Sequence, residues 1–102
     1  MLNSVVLVGK IFDISILIKD EYRKYMRKVT IAVPKPNLNK DGVEEVDLIE
    51  CTLYGNIAEN TAELCKKGDV IGVRGRIEKK FNENIVIAEK LTFLSTNKEE
   101  EK

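Results

Sequence analysis

Residues 47–77 read DLIECTLYGNIAENTAELCKKGDVIGVRGRI, and the spacing of the apolar side chains changes twice along this stretch. In residues 47–54 the side chains alternate in direction, which predicts a strand with Ile49, Cys51 and Leu53 on one face. A segment of helical spacing follows, and then a second alternating segment. A strand, a short helix and a strand in this order decide the class of fold.

The predicted helix has start and stop signals in the sequence. Asn56 is a good N-cap residue, and Glu59 three positions later completes a capping box. Leu64 and Cys65 continue the helical spacing of apolar side chains. Gly68 suits the left-handed residue that ends a helix, so we expect the helix to occupy the segment between Asn56 and Gly68.

The second predicted strand, residues 69–77, again has an inner and an outer face. The side chains assigned to the inner face are Ile71, Val73, Gly75 and Ile77. Arg74 and Arg76 then point outward together with Gly72.

The outer faces of the two strands combine an aromatic ring with two guanidinium groups. Tyr54 points outward from the first strand, and Arg74 and Arg76 point outward from the second. Such a surface could hold single-stranded nucleic acid, because bases stack on rings and phosphates meet arginines. The alternative is structural: a strand tyrosine is often simply packed, and outward arginines often pair with acidic neighbours such as Glu50 and Glu78.

The composition limits the classes of function. The chain has 102 residues, 33% charged and 43% hydrophobic, which indicates one domain with a modest core. No run is apolar enough to span a membrane, and no secretory signal opens the chain. Histidine is absent, and Cys51 and Cys65 form no C-x-x-C motif, which excludes zinc sites and histidine-based acid–base chemistry. We therefore expect no metal, no cofactor, no catalytic residue and no membrane, and a location in a reducing cytosol.

The net charge is zero, but the charges are unevenly distributed. Residues 22–40 contain six basic side chains and no carboxylate, and residues 66–80 contain six more. An acidic block in residues 41–50 separates the two basic segments. These segments indicate a binding surface only if the fold brings them together.

The first predicted strand, residues 2–12, is apolar on both faces. Val5 and Leu7 share one face, while Val6 and Val8 make the other face apolar as well. In a small antiparallel domain this pattern predicts that a second subunit covers the outer face. We place Val6, Val8 and the adjacent Ser4 in that interface.

The remaining chain supplies three more strands and a tail. Residues 14–18 continue the first strand or form a short extra one, residues 25–33 form the next strand, and residues 85–94 form the last. A polar loop at 37–45 and a hairpin tip at 79–84 that carries Phe81 connect them. The chain is thus all-β with one short helix between strands 3 and 4. This is the order of the OB-fold, a five-stranded Greek-key barrel. Residues 1–94 form this domain, and residues 95–102 form a charged tail without expected order.

Three blocks of the sequence resemble the bacterial single-stranded DNA-binding protein family. They are LNSVVLVGK at 2–10, YGNIAE at 54–59 and KGDVIGVRGR at 67–76, in the order and spacing of that family. The resemblance implies an OB-fold whose chains meet along the first strand to form dimers, which assemble into a homotetramer. A dimer is the alternative. It also implies binding of single-stranded DNA in replication, recombination or repair, in a bacterial cytosol, with a phage- or plasmid-encoded protein as the other source.

The resemblance also assigns site residues. Tyr54 and Phe81 match stacking aromatics, whereas Leu48 and Asn37 occupy positions on the DNA path where the family often has aromatic rings. The basic residues expected to contact phosphates are Lys10, Lys28, Lys35, Arg74, Arg76, Lys79 and Lys80. The long tail with an acidic-hydrophobic tip that recruits other proteins in this family has no counterpart in residues 95–102. This departure is expected of a short paralogue, of a phage or plasmid version, or of a truncated piece of a longer protein, and it puts recruitment through the tail in doubt.

Two further hypotheses compete with sequence-tolerant binding of single-stranded DNA. The first is an OB-fold interaction module, such as an accessory subunit of a primosome or replisome, in which DNA binding is weak. The missing aromatics and tail favour it, and the retained Tyr54, Phe81 and basic loops oppose it. The second is an enzyme, for which the sequence has neither a nucleophile motif nor a glycine-rich phosphate loop.

Overall fold

A computed structural model describes residues 1–95 of the chain, and it contains six strands and one helix. The elements are β1 (Val5–Ile14), β2 (Ile18–Lys19), β3 (Tyr25–Pro34), β4 (Val46–Tyr54), α1 (Gly55–Leu64), β5 (Val70–Lys80) and β6 (Glu83–Ser95). The segment at 14–18 ends β1 and begins β2, so both sequence-based alternatives for it are partly right. Ser95 ends β6, and the predicted charged tail after it lies outside the described residues.

Five of the strands close into a barrel. They pair in the order β1, β5, β6, β4, β3, and the pairing of β3 with β1 closes the circle. Among the strands of residues 1–95, β4 and β6 are the one parallel pair, through Cys51 opposite Val86 and Thr52 opposite Ile87. The two-residue strand β2 pairs with β3 at the edge. The predicted OB-fold, with the helix between the third and fourth barrel strands, is confirmed.

β1 closes the barrel because it pairs with two different strands. Its first half, from Val5 to Lys10, pairs with β5, and its second half pairs with β3 past a bulge at Phe12. At the change of partner, a Cβ atom on Gly9 would overlap the carbonyl oxygen of Ala32. Only glycine fits at this position, because the backbone of β3 comes too close for a side chain.

The inner faces of the strands form the core, as the alternation predicts. The largest fully buried side chains are Val29, Ile31, Cys51, Leu53, Thr61, Ile71 and Val73. Two predicted inner residues differ. Ile77 is 38% exposed, and it lies two residues beyond Gly75, where the pairing of β5 with β1 ends. Leu64 is 71% exposed because it lies on the outer side at the last position of α1.

The helix begins earlier than predicted. Tyr54 is at the N-cap position, with extended backbone and no side-chain cap, and Gly55 has a φ of 65°. This left-handed glycine turns the chain directly out of β4 into α1. The capping box of Asn56 and Glu59 is therefore wrong, because both residues already lie inside the helix.

Arg27 joins the helix to the barrel. Its side chain is buried, the Nε donates a hydrogen bond to the carbonyl oxygen of Ala58 at 2.7 Å, and Nη1 donates to that of Ser15 at 2.9 Å. Arg27 is one of the six basic residues of the 22–40 segment, and its burial removes it from any basic surface formed by that segment. Its position two residues before the inward-facing Val29 was the signal that it faces inward.

Candidate nucleic-acid interface

The outer faces of β3 and β4 form one surface. Ala32 pairs with both Lys10 and Leu48, which places these two predicted site residues in one row across β1, β3 and β4. Further along the same strands, Lys28 pairs with Thr52 and Met26 pairs with Tyr54. The alternation of both strands therefore brings Leu48 and Tyr54 to the same face, as predicted, with Leu48 53% exposed.

A groove of about 360 Å³ lies between this surface and the tip of the β5–β6 hairpin. We call it the central groove. Its apolar and aromatic lining residues are Met26, Tyr54, Phe81 and Ile85. Its charged lining residues are Asp20, Glu21, Lys28, Glu50, Lys80 and Glu83. The two aromatic residues predicted from the sequence thus share one groove.

Phe81 is held at the hairpin tip in an unusual backbone conformation. Phe81 and Asn82 have φ angles of 51° and 63°, typical of a two-residue type I′ turn. Bulky side chains rarely adopt the left-handed region, and glycine or asparagine is preferred there. Phe81 is 81% exposed and is not among the residues of the buried core. A strained, exposed aromatic residue beside a groove is the pattern expected of a ligand contact.

Lys80 lies between the two aromatic residues. Its Nζ is 5.8 Å from the centre of the Phe81 ring and 3.7 Å from a carboxylate oxygen of Glu21. A side-chain hydrogen bond with the Tyr54 hydroxyl is the main cause that raises the pKa of Lys80. Its side chain is only 28% exposed. Lys80 therefore interacts with both predicted stacking residues at once.

A second groove, of about 420 Å³, lies on the other side of Tyr54 and Lys80 and is lined by Arg76. We call it the arginine groove. Arg76 donates hydrogen bonds to Glu89 at 3.0 Å and to Glu78 at 3.1 Å. The bond to Glu89, followed by that to Glu78, raises the pKa of Arg76. The sequence-based alternative that Arg76 pairs with Glu78 thus describes the free protein correctly.

Most of the predicted phosphate-binding residues have a carboxylate partner. Lys35 donates a hydrogen bond to Asp47 at 2.6 Å, which is the main cause that raises the pKa of Lys35. Lys28 lies 3.4 Å from Glu50. Within residues 1–95, no carboxylate lies at ion-pair distance from Lys10, Arg74 or Lys79. These three are the predicted basic residues whose charge is not already compensated by the described part of the chain.

Arg74 is not on the same surface as Tyr54. β6 lies between β5 and β4 in the sheet, and Arg74 pairs with Val6 on one side and Lys90 on the other. Arg74 lines neither groove. The expectation that the outer faces of β4 and β5 form one continuous binding surface is therefore wrong for Arg74, although it holds for Arg76, which meets Tyr54 across the arginine groove.

Asn37 and Lys79 lie at the margins of the interface. Asn37 is exposed in the 35–45 loop, which is organised by the Asn39 carboxamide accepting N–H groups of Asp41 and Val43 at 2.9 Å. Lys79 is exposed near the hairpin tip, opposite Asn84.

The outer face of β1 remains open in the single chain. Val6 is 70% exposed and Val8 is 50% exposed, and Ser4 beside them is exposed as well. Arg74 and Lys90 continue the row of Val6 across β5 and β6. An apolar strip with a basic margin is therefore available on this side of the barrel.

Residues 1–95 contain no group of three or more side chains that could hold a metal ion. Within the same part of the chain, α1 is the single helix, and it is too short and too polar to cross a membrane.

The chain is similar in sequence to two named bacterial proteins. The chain is 40% identical over 90 residues to single-stranded DNA-binding protein B of Bacillus subtilis, covering 82% of this chain and 74% of that relative. It is 38% identical to the single-stranded DNA-binding protein of Halalkalibacterium halodurans, covering 82% of this chain and 50% of the relative. The chain therefore spans between half and three quarters of the length of these relatives.

Two solved structures share the fold. The single-stranded DNA-binding protein from Thermus aquaticus superposes with a TM-score of 0.68 at 24% identity, over 92% of this chain and 41% of that chain. The PriB protein from Ralstonia solanacearum superposes with a TM-score of 0.73 at 13% identity, over 91% of this chain and 98% of that chain. The sequence profile described as "Single-strand binding protein family" matches residues 2–92, and the chain belongs to this family.

Proposed function

We propose that this protein binds and protects single-stranded DNA in replication, recombination or repair, without strong sequence preference and without a catalytic step. The observation that carries the proposal is the exposed Phe81 ring beside the groove that Tyr54 also lines. The family membership supports it, because relatives at 38–40% identity are named single-stranded DNA-binding proteins. Base stacking on aromatic side chains tolerates all sequences, since every base has a π-face.

In the proposed mechanism, bases stack on Tyr54 and Phe81 while phosphates contact basic residues outside the central groove. Lys10 and Lys79 have no carboxylate partner within residues 1–95, so they gain most from a phosphate. The other proposed contacts outside the central groove are Lys35, Leu48, Asn37, Arg74 and Arg76, whereas Lys28 and Lys80 line the groove and would contact the DNA there. A phosphate that contacts a lysine already paired with a carboxylate must displace that carboxylate, so the contact adds less binding free energy.

We further propose that the protein self-associates through the outer face of β1, as a tetramer or a dimer, in a bacterial cytosol. Val6 and Val8 would be covered by a second copy, and Ser4 would lie at the margin. Exposed apolar strips of this kind are uncommon on monomers. Arg74 lies in the same row as Val6, so it would then contact the second copy at least as much as the DNA.

The test is a titration with a fluorescent oligo(dT) of about 35 nucleotides, a length that spans several OB sites, against duplex DNA at matched salt. Binding to oligo(dT) with a clear preference over the duplex supports the proposal. Equal or absent binding to both contradicts it.

A second candidate is the OB-fold interaction module with weak DNA binding. The observation that favours it is the charge of the central groove, where carboxylates outnumber lysines. The same titration separates the two functions, because an interaction module would bind oligo(dT) weakly while keeping its fold.

A further inference from the structure

We propose that the central groove holds nucleobases rather than phosphates, and that its carboxylates favour bases with an exocyclic amino group. This inference rests on the proposed function and deepens it. It adds a modest base preference to binding that otherwise tolerates every sequence. Cytosine would be preferred over uracil and thymine.

The charge of the groove excludes phosphates from its interior. Four carboxylates line it, those of Asp20, Glu21, Glu50 and Glu83, against the two ammonium groups of Lys28 and Lys80. With two positive and four negative groups, the lining carries a formal charge of −2. A phosphate entering the groove would add a like charge, whereas a neutral base would not.

Both lysines of the groove already have partners. Lys28 lies 3.4 Å from Glu50, and Lys80 lies 3.7 Å from Glu21. The excess negative charge therefore belongs to Asp20 and Glu83. Asp20 is occupied on one oxygen, which accepts the backbone N–H groups of Tyr22 and Lys24 at 2.8 and 2.9 Å.

Glu83 is the best-placed acceptor for a base. It is the first residue of β6, two positions after Phe81, and it is exposed. Within residues 1–95, no lysine or arginine lies at ion-pair distance from its carboxylate. A base stacked on the Phe81 ring would therefore present its polar edge to an uncompensated carboxylate.

The rest of the lining suits the flat faces of a base. Met26 and Ile85 add apolar surface between the two aromatic residues. With the faces covered in this way, the edge of the base decides the preference. The amino group of cytosine donates to a carboxylate, whereas the carbonyl oxygen at the same ring position of uracil or thymine is repelled by it.

The experiment compares oligo(dC) with oligo(dU) of the same length at matched salt, because these bases differ at the ring position where the amino group stands. The variants are Glu83→Gln and Glu50→Gln, whose amides both donate and accept hydrogen bonds and so no longer discriminate. Glu63→Gln on α1, outside the central groove, is the matched control for the loss of one charge. Melting curves report whether each variant keeps its fold.

We expect the wild type to bind oligo(dC) at least about five-fold more tightly than oligo(dU), the lower end of what one good carboxylate–amino contact discriminates. Glu83→Gln should reduce this ratio toward one, and Glu63→Gln should keep it. Equal binding of the two oligonucleotides, a preference for oligo(dU), or a ratio that neither groove variant changes would overturn the inference. If neither oligonucleotide binds, it is the proposed function that fails.

Discussion

The ammonium group of Lys80 lies 5.8 Å from the centre of the Phe81 ring, and the side chain of Tyr54 is the main cause that raises the pKa of Lys80. One side chain thus links the end of β4 to the tip of the β5–β6 hairpin. Because Glu21 compensates its charge at 3.7 Å, Lys80 is better suited to position the two aromatic residues than to bind a phosphate.

Replacing Lys80 by methionine should weaken single-strand binding several-fold with little change in its salt dependence. A full phosphate contact on single strands contributes about 0.7 to the slope of log affinity against log salt, and we expect a smaller change here. Lys79→Met is the matched control, since the neighbouring Lys79 has no carboxylate partner within residues 1–95 and should lose the full contribution. Anisotropy titrations over a range of salt concentrations measure both slopes. Equal slope changes in the two variants would contradict the positioning role.

Phe81→Gly should lower single-strand affinity by about 1–3 kcal/mol, the usual contribution of a stacked base. The melting temperature should stay the same or rise, because glycine adopts the φ of 51° without strain. Asn82→Gly, at the adjacent left-handed position, is the control and should leave affinity unchanged. Oligo(dT) titration and thermal melting of both variants test this, and a Phe81→Gly protein that binds like the wild type would rule out stacking on the hairpin.

Tyr54→Ala should weaken binding as well, with some loss of stability because Tyr54 is half-buried.

Removing the carboxylates around Arg76 should strengthen DNA binding. The variant Glu78→Gln/Glu89→Gln leaves the guanidinium group without its two charged acceptors, so that a phosphate can take their place. We expect higher affinity for oligo(dT) and a salt slope steeper by up to about 0.7. Titrations beside the Glu63→Gln control check this. If affinity and slope stay at the wild-type values, Arg76 is a structural ion-pair residue outside the DNA path.

Val6→Lys should abolish self-association without unfolding the chain. The new ammonium group would lie in a row with Arg74 and Lys90, where a second copy would have to bury it. Because Val6 is 70% exposed in the single chain, the fold itself loses little. Thr30→Lys, on the outer face of β3, is the control substitution. Sedimentation at tens of micromolar, roughly the range where an obligate interface is saturated, should show a smaller species for Val6→Lys alone. A wild type that sediments as a monomer would contradict the interface.

Gly75→Ala should lower the free energy of unfolding by about 1–3 kcal/mol or more. An added Cβ at Gly75 would overlap the backbone carbonyl of Ile87, so two paired strands would have to move apart. Gly72→Ala, on the same strand, is the control, because the nearest atoms to its Cβ would be at an ordinary distance of 3.8 Å. Urea denaturation of both variants measures the difference. Equal stability of the two would show that β5 and β6 can separate locally without cost.

The sequence predicts only part of the candidate site. Alternation and turn signals predict an exposed face or tip for Tyr54, Phe81 and Leu48. In the structure Leu48 and Phe81 are exposed, and Tyr54 is half-buried at the central groove. Their contribution to DNA binding stays a prediction. The sequence does not indicate that Glu21 and Glu83 line the central groove, because both lie in segments that the sequence predicts only as polar turns.

The sequence by itself determined the order of the elements and most of the inner faces of the strands, because alternation along a strand is a local consequence of backbone geometry. Only the tertiary structure decided which outer faces meet. β6 inserts between β4 and β5 and pairs in parallel with β4, which puts Arg74 beside Val6 and leaves Arg76 next to Tyr54. The register of neighbouring antiparallel strands selects the partner of each charge, Glu89 for Arg76 across β5 and β6 and Asp47 for Lys35 at the ends of β3 and β4. The partners are 12 and 13 positions apart, and the pairing of the strands, rather than a pattern within one strand, brings them within hydrogen-bonding distance.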